Sequence, residues 1–216
     1  MVVSTDHVPP VSSPLGPFQA AVKRAFDLIA AGGGLLVLSP LFAVVAIAVK
    51  LDSRGPVFFR QQRVGKNFRP FEMYKFRTMV VDAPKLGGQL TVSGDPRVTK
   101  TGRIFRKLKI DELPQLINVV LGDMSLVGPR PEVARYVEQK HDEYREVLSV
   151  RPGITDLASV KYRDESGILA TAEDPEAAYV NQILPDKLAI SRQYIREASL
   201  WLDLKIILQT LLRIAS

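Results

Sequence analysis

From Leu28 to Val49 the chain runs for 22 residues without a charged side chain, and no other stretch limits its possible folds so tightly. As a helix rising about 1.5 Å per residue, such a run reaches roughly 33 Å, enough to cross a hydrocarbon core of about 30 Å. Its interior argues against a straight rod. Gly32, Gly33 and Gly34 weaken a helix, and Pro40, directly after Ser39, withdraws a backbone donor and crowds the preceding turn. A break at Ser39-Pro40 is therefore expected. The flanks add a topological constraint. Lys23 and Arg24 precede the run and Lys50, Arg54, Arg60, Arg63 and Lys66 follow it, so the cytoplasmic preference of basic residues acts on both ends. A re-entrant hairpin that leaves on the side it entered satisfies both flanks, provided that other groups satisfy the backbone freed at the bend. A kinked span and a buried helix of a soluble protein are also compatible with these residues.

A chain of 216 residues accommodates one domain, with or without a membrane segment. Residues 1–19 are rich in proline, with Asp6 as the one acid and no Lys or Arg before Lys23, and the apolar run ends in Lys50 rather than in a small-residue cleavage site. The start therefore reads as a disordered tail and the run as a retained membrane element, not a secretory signal. There is no cysteine, which removes disulfides and thiolate metal sites. Charge is uneven: Lys50 to Lys109 holds 15 Lys and Arg against four acids, and Ile110 to Ser216 holds 12 against 17. Basic residues beside the membrane run suit an anionic leaflet, at roughly 1 kcal/mol per side chain near the surface. The same field favours phosphate-bearing substrates. Nucleic acid is less well supported, since no zinc ligand set, recognition-helix module or internal repeat is present.

Alternating aromatic-rich stretches near Val57–Gln61 and Phe71–Arg77, around Gly65-Lys66-Asn67, predict a β-hairpin. Residues 81–102 read as a loop with a short strand or helix. A helix is expected over Gly102–Lys109, and another starting at Asp111, tolerating Pro114 near its start and closed by Gly122. Residues 133–149 predict one polar helix, ended by Arg151-Pro152-Gly153, and Ala189–Ala215 a final helical region. There Leu200, Leu204, Ile207, Leu208 and Leu211 form an apolar stripe beside Trp201, with Asp203, Lys205, Gln209 and Arg213 elsewhere. That pattern fits either a core helix or a helix lying at a membrane interface.

The residues best suited to chemistry cluster in "RKLKIDELPQLINVVLGDMSLVGPRPE". Adjacent Asp111 and Glu112 could bind Mg²⁺, and one of them could attack phosphorus. The plain alternative is that an Asp cap followed by Glu merely starts a helix. Arg106, and Arg130 held between two prolines, could clamp phosphate through planar forks, or could be surface arginines. His7 and His141 are the only histidines, so neither a histidine triad nor a His-ligated zinc is expected. No P-loop or dinucleotide-binding glycine pattern appears at a strand-to-helix junction.

Together "KRAFDL", the mid-run Ser-Pro, "GPVFFRQQRVGKNFRPFEMYKFRTM", "DPRVTKTGRIFRKLKIDELPQLINVVLGDMSLVGPRPE", "RPGIT" and "SLWLDLKIILQT" resemble the bacterial sugar transferases known as monotopic polyprenyl-phosphate phosphoglycosyl transferases. The resemblance runs from about Phe18 to the C-terminus, with the motifs in the family's order, and the chain looks like the minimal catalytic unit. It implies an α+β, mostly helical fold. Residues 20–50 would form a re-entrant membrane helix bent at Ser39 and Pro40, and residues 51–216 a cytoplasmic, membrane-associated catalytic domain with a small β-hairpin and a C-terminal interfacial helix. The implied location is the cytoplasmic face of the bacterial inner membrane. The implied reaction moves a sugar-1-phosphate from a nucleotide diphosphate sugar, usually a UDP-sugar, to undecaprenyl phosphate, releasing UMP and opening a surface glycan or exopolysaccharide pathway. By resemblance Asp111 is the nucleophile and Mg²⁺ ligand, Glu112 its dyad partner, and Arg106, Arg130 and Arg163 contact phosphate. "PGITDLASVKYR" departs from the commoner family pattern at Asp156, Leu157, Ser159, Lys161 and Tyr162, which bears on the donor rather than on the dyad. A non-catalytic protein that binds anionic lipid at the membrane surface is the rival reading; it leaves the Asp-Glu pair without a task.

Overall fold

The computed structural model describes residues 15–87 and 90–215. Helix α1 (Pro17–Val37) and helix α2 (Ser39–Asp52) join at Leu38 with a bend of 60°. Its local cause is visible. Pro40 has no N–H to give the Leu36 carbonyl one turn back, and the Ser39 hydroxyl donates to that carbonyl instead at 2.8 Å. Serine thus satisfies what proline frees. The break is at this pair and not at Gly32–Gly34, through which α1 continues unbroken. Among the described residues no single helix is long and apolar enough to cross a membrane, whereas the bent pair meets that test by length and composition. Of the expected tail, residues 1–14 lie outside the described residues. Its end needs correcting: the chain is helical from Pro17, because proline is well tolerated at the first helical position.

Polar side chains of α1 tie it to the rest of the chain. Arg24 donates to the carbonyls of Val119 and Val120 at 2.7 and 3.2 Å. Asp27, buried, accepts from the Ser125 hydroxyl at 2.8 Å and from the Leu126 N–H at 3.1 Å. Lys23 donates to Asp203 at 2.5 Å and to the Val127 carbonyl at 3.0 Å. On α2, Val45 and Val49 pack on Phe76 with Phe42, Phe105 and Ile110 around them.

The β-hairpin forms as expected, from strands β1 (Phe58–Val64) and β2 (Pro70–Phe76), antiparallel from Phe58 opposite Phe76 to Val64 opposite Pro70. In the following loop lie a short helix α3 (Ala83–Leu86) and a bridge between Met79 and Val98. Helix α4 (Lys100–Lys107) begins two residues before the expected Gly102, because the Thr99 hydroxyl accepts from the Gly102 N–H at 3.1 Å and caps it. Only glycine fits at 102: a Cβ there would lie 2.3 Å from the Thr78 carbonyl oxygen. A single 3-10 turn, Ile110–Glu112, then leads through Pro114 into α5 (Gln115–Leu121), which Gly122 closes with φ 97°.

Strand β3 (Ser125–Val127) pairs in parallel with β4 (Gly153–Thr155). The expected single polar helix is two, α6 (Ala134–Gln139) and α7 (His141–Val147), broken where Lys140 leaves helical geometry at φ −126°. The break lets Tyr136 and Val137 on one piece and Tyr144, Val147 and Leu148 beyond it enter one core. The chain continues through α8 (Leu157–Lys161), α9 (Glu165–Ala170), α10 (Pro175–Ala178), a π-helical turn at Tyr179–Ile183, α11 (Leu184–Glu197) and α12 (Leu200–Ala215). The final helical region is therefore broken at Ala198-Ser199. On α12 the apolar stripe divides: Ile207 packs against the core, whereas most of the stripe does not. Leu204, Leu208, Leu211 and Trp201 face outward, Trp201 at 78% exposure, while Asp203 and Ile206 form the buried side against Tyr194 and Val127. Periodicity locates an apolar face but does not say what covers it.

Candidate active site

Between α4 and the 3-10 turn, Lys109 adopts the left-handed conformation at φ 56°, which a side chain normally avoids. The reversal turns Asp111 inward, where it is 6% exposed. No side chain caps either the 3-10 turn or α5, so the reading of Asp111 as helix punctuation fails. Its Oδ1 is buried and accepts no hydrogen bond. Burial, then the neighbouring charge of Glu112, raise its carboxyl above the ordinary aspartate range, against the pull of Lys75, Arg106 and Lys109.

Glu112 is the opposite case. Its carboxylate is held by Arg130 and, at 3.0 Å, by Lys75 Nζ from strand β2. Burial acts to raise Glu112, but Arg130 and then Lys75 outweigh it and hold the group well below its ordinary value. Lys75 is pushed down by burial more than the Glu112 charge restores it. The Glu112 charge raises Arg130 further above its ordinary value. Arg106, on α4, contributes a buried Nη1 without a hydrogen-bond partner, within range to act on Asp111. An unpaired carboxylate oxygen and an unpaired guanidinium nitrogen thus share one site, which proteins rarely leave so without a ligand to complete it. Arg130 remains 34% exposed beside the fully engaged Glu112, leaving its guanidinium reachable.

The structure brings together Asp111, Glu112, Arg106 and Arg130. Arg163 stands apart: it lies exposed in the turn between α8 and α9 and is not among the principal charges on Asp111 or Glu112. Ser39 and Pro40 belong to the bend. Lys75 joins the site without a motif of its own in the sequence; its one signal is strand alternation, which puts it on the face of buried Met73. The Arg63–Glu132 ion pair, with the Tyr179 hydroxyl donating to Glu132, is a second buried network that the sequence does not announce.

As to a metal, no group of three or more His, Asp or Glu side chains that could hold an ion occurs among the described residues. With Glu112 committed to two cations, Asp111 is the one carboxylate of the dyad with an oxygen to offer. A single carboxylate fits Mg²⁺, which commonly takes one or two from the protein and the rest from water and substrate phosphates.

Comparison with known proteins places the site in context. The model of a family described as bacterial sugar transferase matches residues 18–216. The chain is 42% identical over 200 residues to a UDP-N-acetylgalactosamine-undecaprenyl-phosphate N-acetylgalactosaminephosphotransferase of Aeromonas hydrophila, covering 90% of this chain and 44% of that protein. It is 44% identical over 207 residues to an undecaprenyl-phosphate glucose phosphotransferase of Komagataeibacter xylinus, covering 93% and 37%. It is 39% identical over 196 residues to the exopolysaccharide production protein PSS of Rhizobium leguminosarum bv. phaseoli, covering 88% and 92%. The chain thus spans less than half the length of the first two relatives and nearly all of the third.

Proposed function

The chain belongs to the bacterial sugar transferase family, and from that premise we propose that it moves a sugar-1-phosphate from a UDP-sugar to undecaprenyl phosphate, releasing UMP. The observation that carries this reading is the buried, unpartnered Oδ1 of Asp111 in a field of Lys75, Arg106 and Lys109. A carboxylate stripped of partners and surrounded by cations is poised for an anionic electrophile. A lipid-binding protein without catalysis has no use for it.

In the proposed mechanism the Asp111 carboxylate attacks the phosphorus that bears the sugar; the bond from that phosphorus to the bridging oxygen breaks, and its electron pair leaves with UMP. A phosphate oxygen of undecaprenyl phosphate then attacks the same phosphorus. The aspartyl-phosphate bond breaks, regenerating the carboxylate and giving a polyprenyl diphosphate sugar. Both halves balance without redox change. Arg106 and Arg130 bind phosphate oxygens and hold the reacting phosphorus before Asp111. Lys75 and Arg130 keep Glu112 ionised and fixed, so Asp111 rather than Glu112 is the free nucleophile. Asp111 would hold Mg²⁺, which when bound supplies charge that screens the carboxylate from the diphosphate and stabilises the leaving phosphate.

The bent pair α1–α2 serves in this reading as a re-entrant anchor in the cytoplasmic leaflet of the inner membrane, with α12 at the interface. Outward-facing Ile29, Leu36, Val44 and Ile47 on the pair and Leu208 and Leu211 on α12 support it. The test is UMP release by the detergent-purified chain from UDP-glucose, UDP-galactose, UDP-N-acetylglucosamine and UDP-N-acetylgalactosamine. One or more should be consumed in a reaction that requires both Mg²⁺ and undecaprenyl phosphate. UMP release from none of them, or release indifferent to undecaprenyl phosphate, overturns the assignment.

A further inference from the structure

Pro129 and Pro131 have no backbone N–H, so within residues 129–131 only Arg130 can donate one. That N–H goes to Asp156 Oδ2 at 3.1 Å. The other oxygen of the same carboxylate accepts the Ser159 N–H at 2.6 Å and caps α8. Asp156 is 3% exposed, so water does not compete for either bond. Backbone bonds on both sides complete a short zipper: the Gly128 N–H donates to the Thr155 carbonyl at 3.1 Å and the Gly153 N–H to the Pro129 carbonyl at 3.0 Å. At the far end of Arg130 the guanidinium meets Glu112.

We propose that Asp156 is a positioning residue for Arg130, fixing the one free peptide N–H of the Pro-Arg-Pro stretch so that the guanidinium reaches both Glu112 and the substrate phosphate. The proposal rests on the reading of Arg130 as a phosphate ligand. The prolines restrict the backbone dihedrals around Arg130, and residues before proline are held extended, but neither sets the tilt of the 129–130 peptide plane. Two bonds do: the Gly153 N–H holds the carbonyl side of that plane and Asp156 holds its N–H side, nearest the Arg130 side chain. The Asp156 charge also adds to the field that keeps Arg130 cationic.

Asp156→Asn separates positioning from support. Asparagine caps a helix as well as aspartate and can accept from Ser159, but its amide nitrogen then faces the Arg130 N–H donor to donor. With the UDP-sugar that proves to be turned over, Asp156→Asn in the full chain should lower kcat roughly ten- to a hundredfold, as expected for sub-ångström misplacement of a catalytic group. Made in an Arg130→Lys background it should change kcat by less than about twofold, because the geometry it protects is already lost. Equal losses in both backgrounds, or wild-type kcat in Asp156→Asn, overturn the positioning role while leaving Arg130 in place. An Arg130→Lys variant as active as wild type instead overturns the phosphate-ligand reading, and the inference falls with it. Should Asp156→Asn lose its cooperative melt, Asp156→Ser keeps a capping oxygen without the opposed donor, and the same comparison of backgrounds decides.

Discussion

Asp111 and Glu112 are neighbours in sequence and opposites in bonding: Oδ1 of Asp111 is buried with no partner, whereas the Glu112 carboxylate is gripped by Arg130 and Lys75. Two adjacent carboxylates are thereby divided into one free to react and one fixed in place. Substitution should expose the division. Asp111→Asn removes an unpaired buried charge, so the fold should be as stable as wild type to within about 1 kcal/mol, or more stable. Turnover should fall on the order of a thousandfold or more. Incubated with sugar-labelled donor and no acceptor, wild-type protein should retain label at Asp111 and the variant none. An active Asp111→Asn beside a dead Glu112→Gln would move the nucleophile to Glu112.

Glu112→Gln should behave differently, because it strands Lys75 in a buried position and removes the partner of Arg130. Breaking such a pair costs about 3 kcal/mol, read from denaturant midpoints. Adding Lys75→Met should recover part of the loss while leaving turnover low. Stability unchanged in the single variant would mean that the ion pair contributes nothing to folding.

The pH dependence of stability should carry the mark of Glu132. Burial acts to raise this carboxyl, but Arg63, Lys187 and the Tyr179 hydroxyl outweigh it and leave it below its ordinary value of 4.5. A carboxyl lowered in the folded state stabilises above its unfolded value and loses that contribution as pH falls through the folded one. The stability gap between wild type and Glu132→Gln should therefore be full at neutral pH and shrink below about pH 4.5. Urea titrations over that range check it, and a gap that widens in acid contradicts the sign.

Trp201 is the chain's single tryptophan and stands 78% exposed on α12. If α12 lies at a bilayer interface, transfer of the purified chain from a minimal detergent into anionic vesicles should shift Trp201 emission to the blue, and lipids brominated near the headgroup should quench it. Emission indifferent to brominated lipid would take α12 out of the membrane.

The absence of native cysteine permits a direct test of the bend. Single substitutions Ala21→Cys, at an exposed position near the start of α1, and Arg54→Cys, exposed just beyond α2, should resist a membrane-impermeant thiol reagent in intact spheroplasts and react after lysis. Labelling of one alone would establish a span. Pro40→Leu restores the N–H that the Leu36 carbonyl lacks and should straighten the pair, shifting that pattern toward one-sided labelling.

What was legible in the sequence was local. Pro40 lacks an N–H wherever it sits, aromatic alternation around Gly65 makes a hairpin, and Gly122 ends a helix through its left-handed freedom; each needs only the residue and its neighbours. The adjacency of Asp111 and Glu112 was equally plain, and with it the candidate chemistry. The sequence could not say which carboxylate is free, because the answer comes from Lys75, 37 positions from Glu112, and from Arg130, 18 positions away. Nor could it say that Leu204, Leu208 and Leu211 of the α12 stripe face out, since that follows from Tyr194 and Lys23 drawing Asp203 inward. A side chain's covalent neighbours fix its dihedral preferences, but its charge state and its exposure depend on which distant groups displace water from it. Only the folded chain decides those.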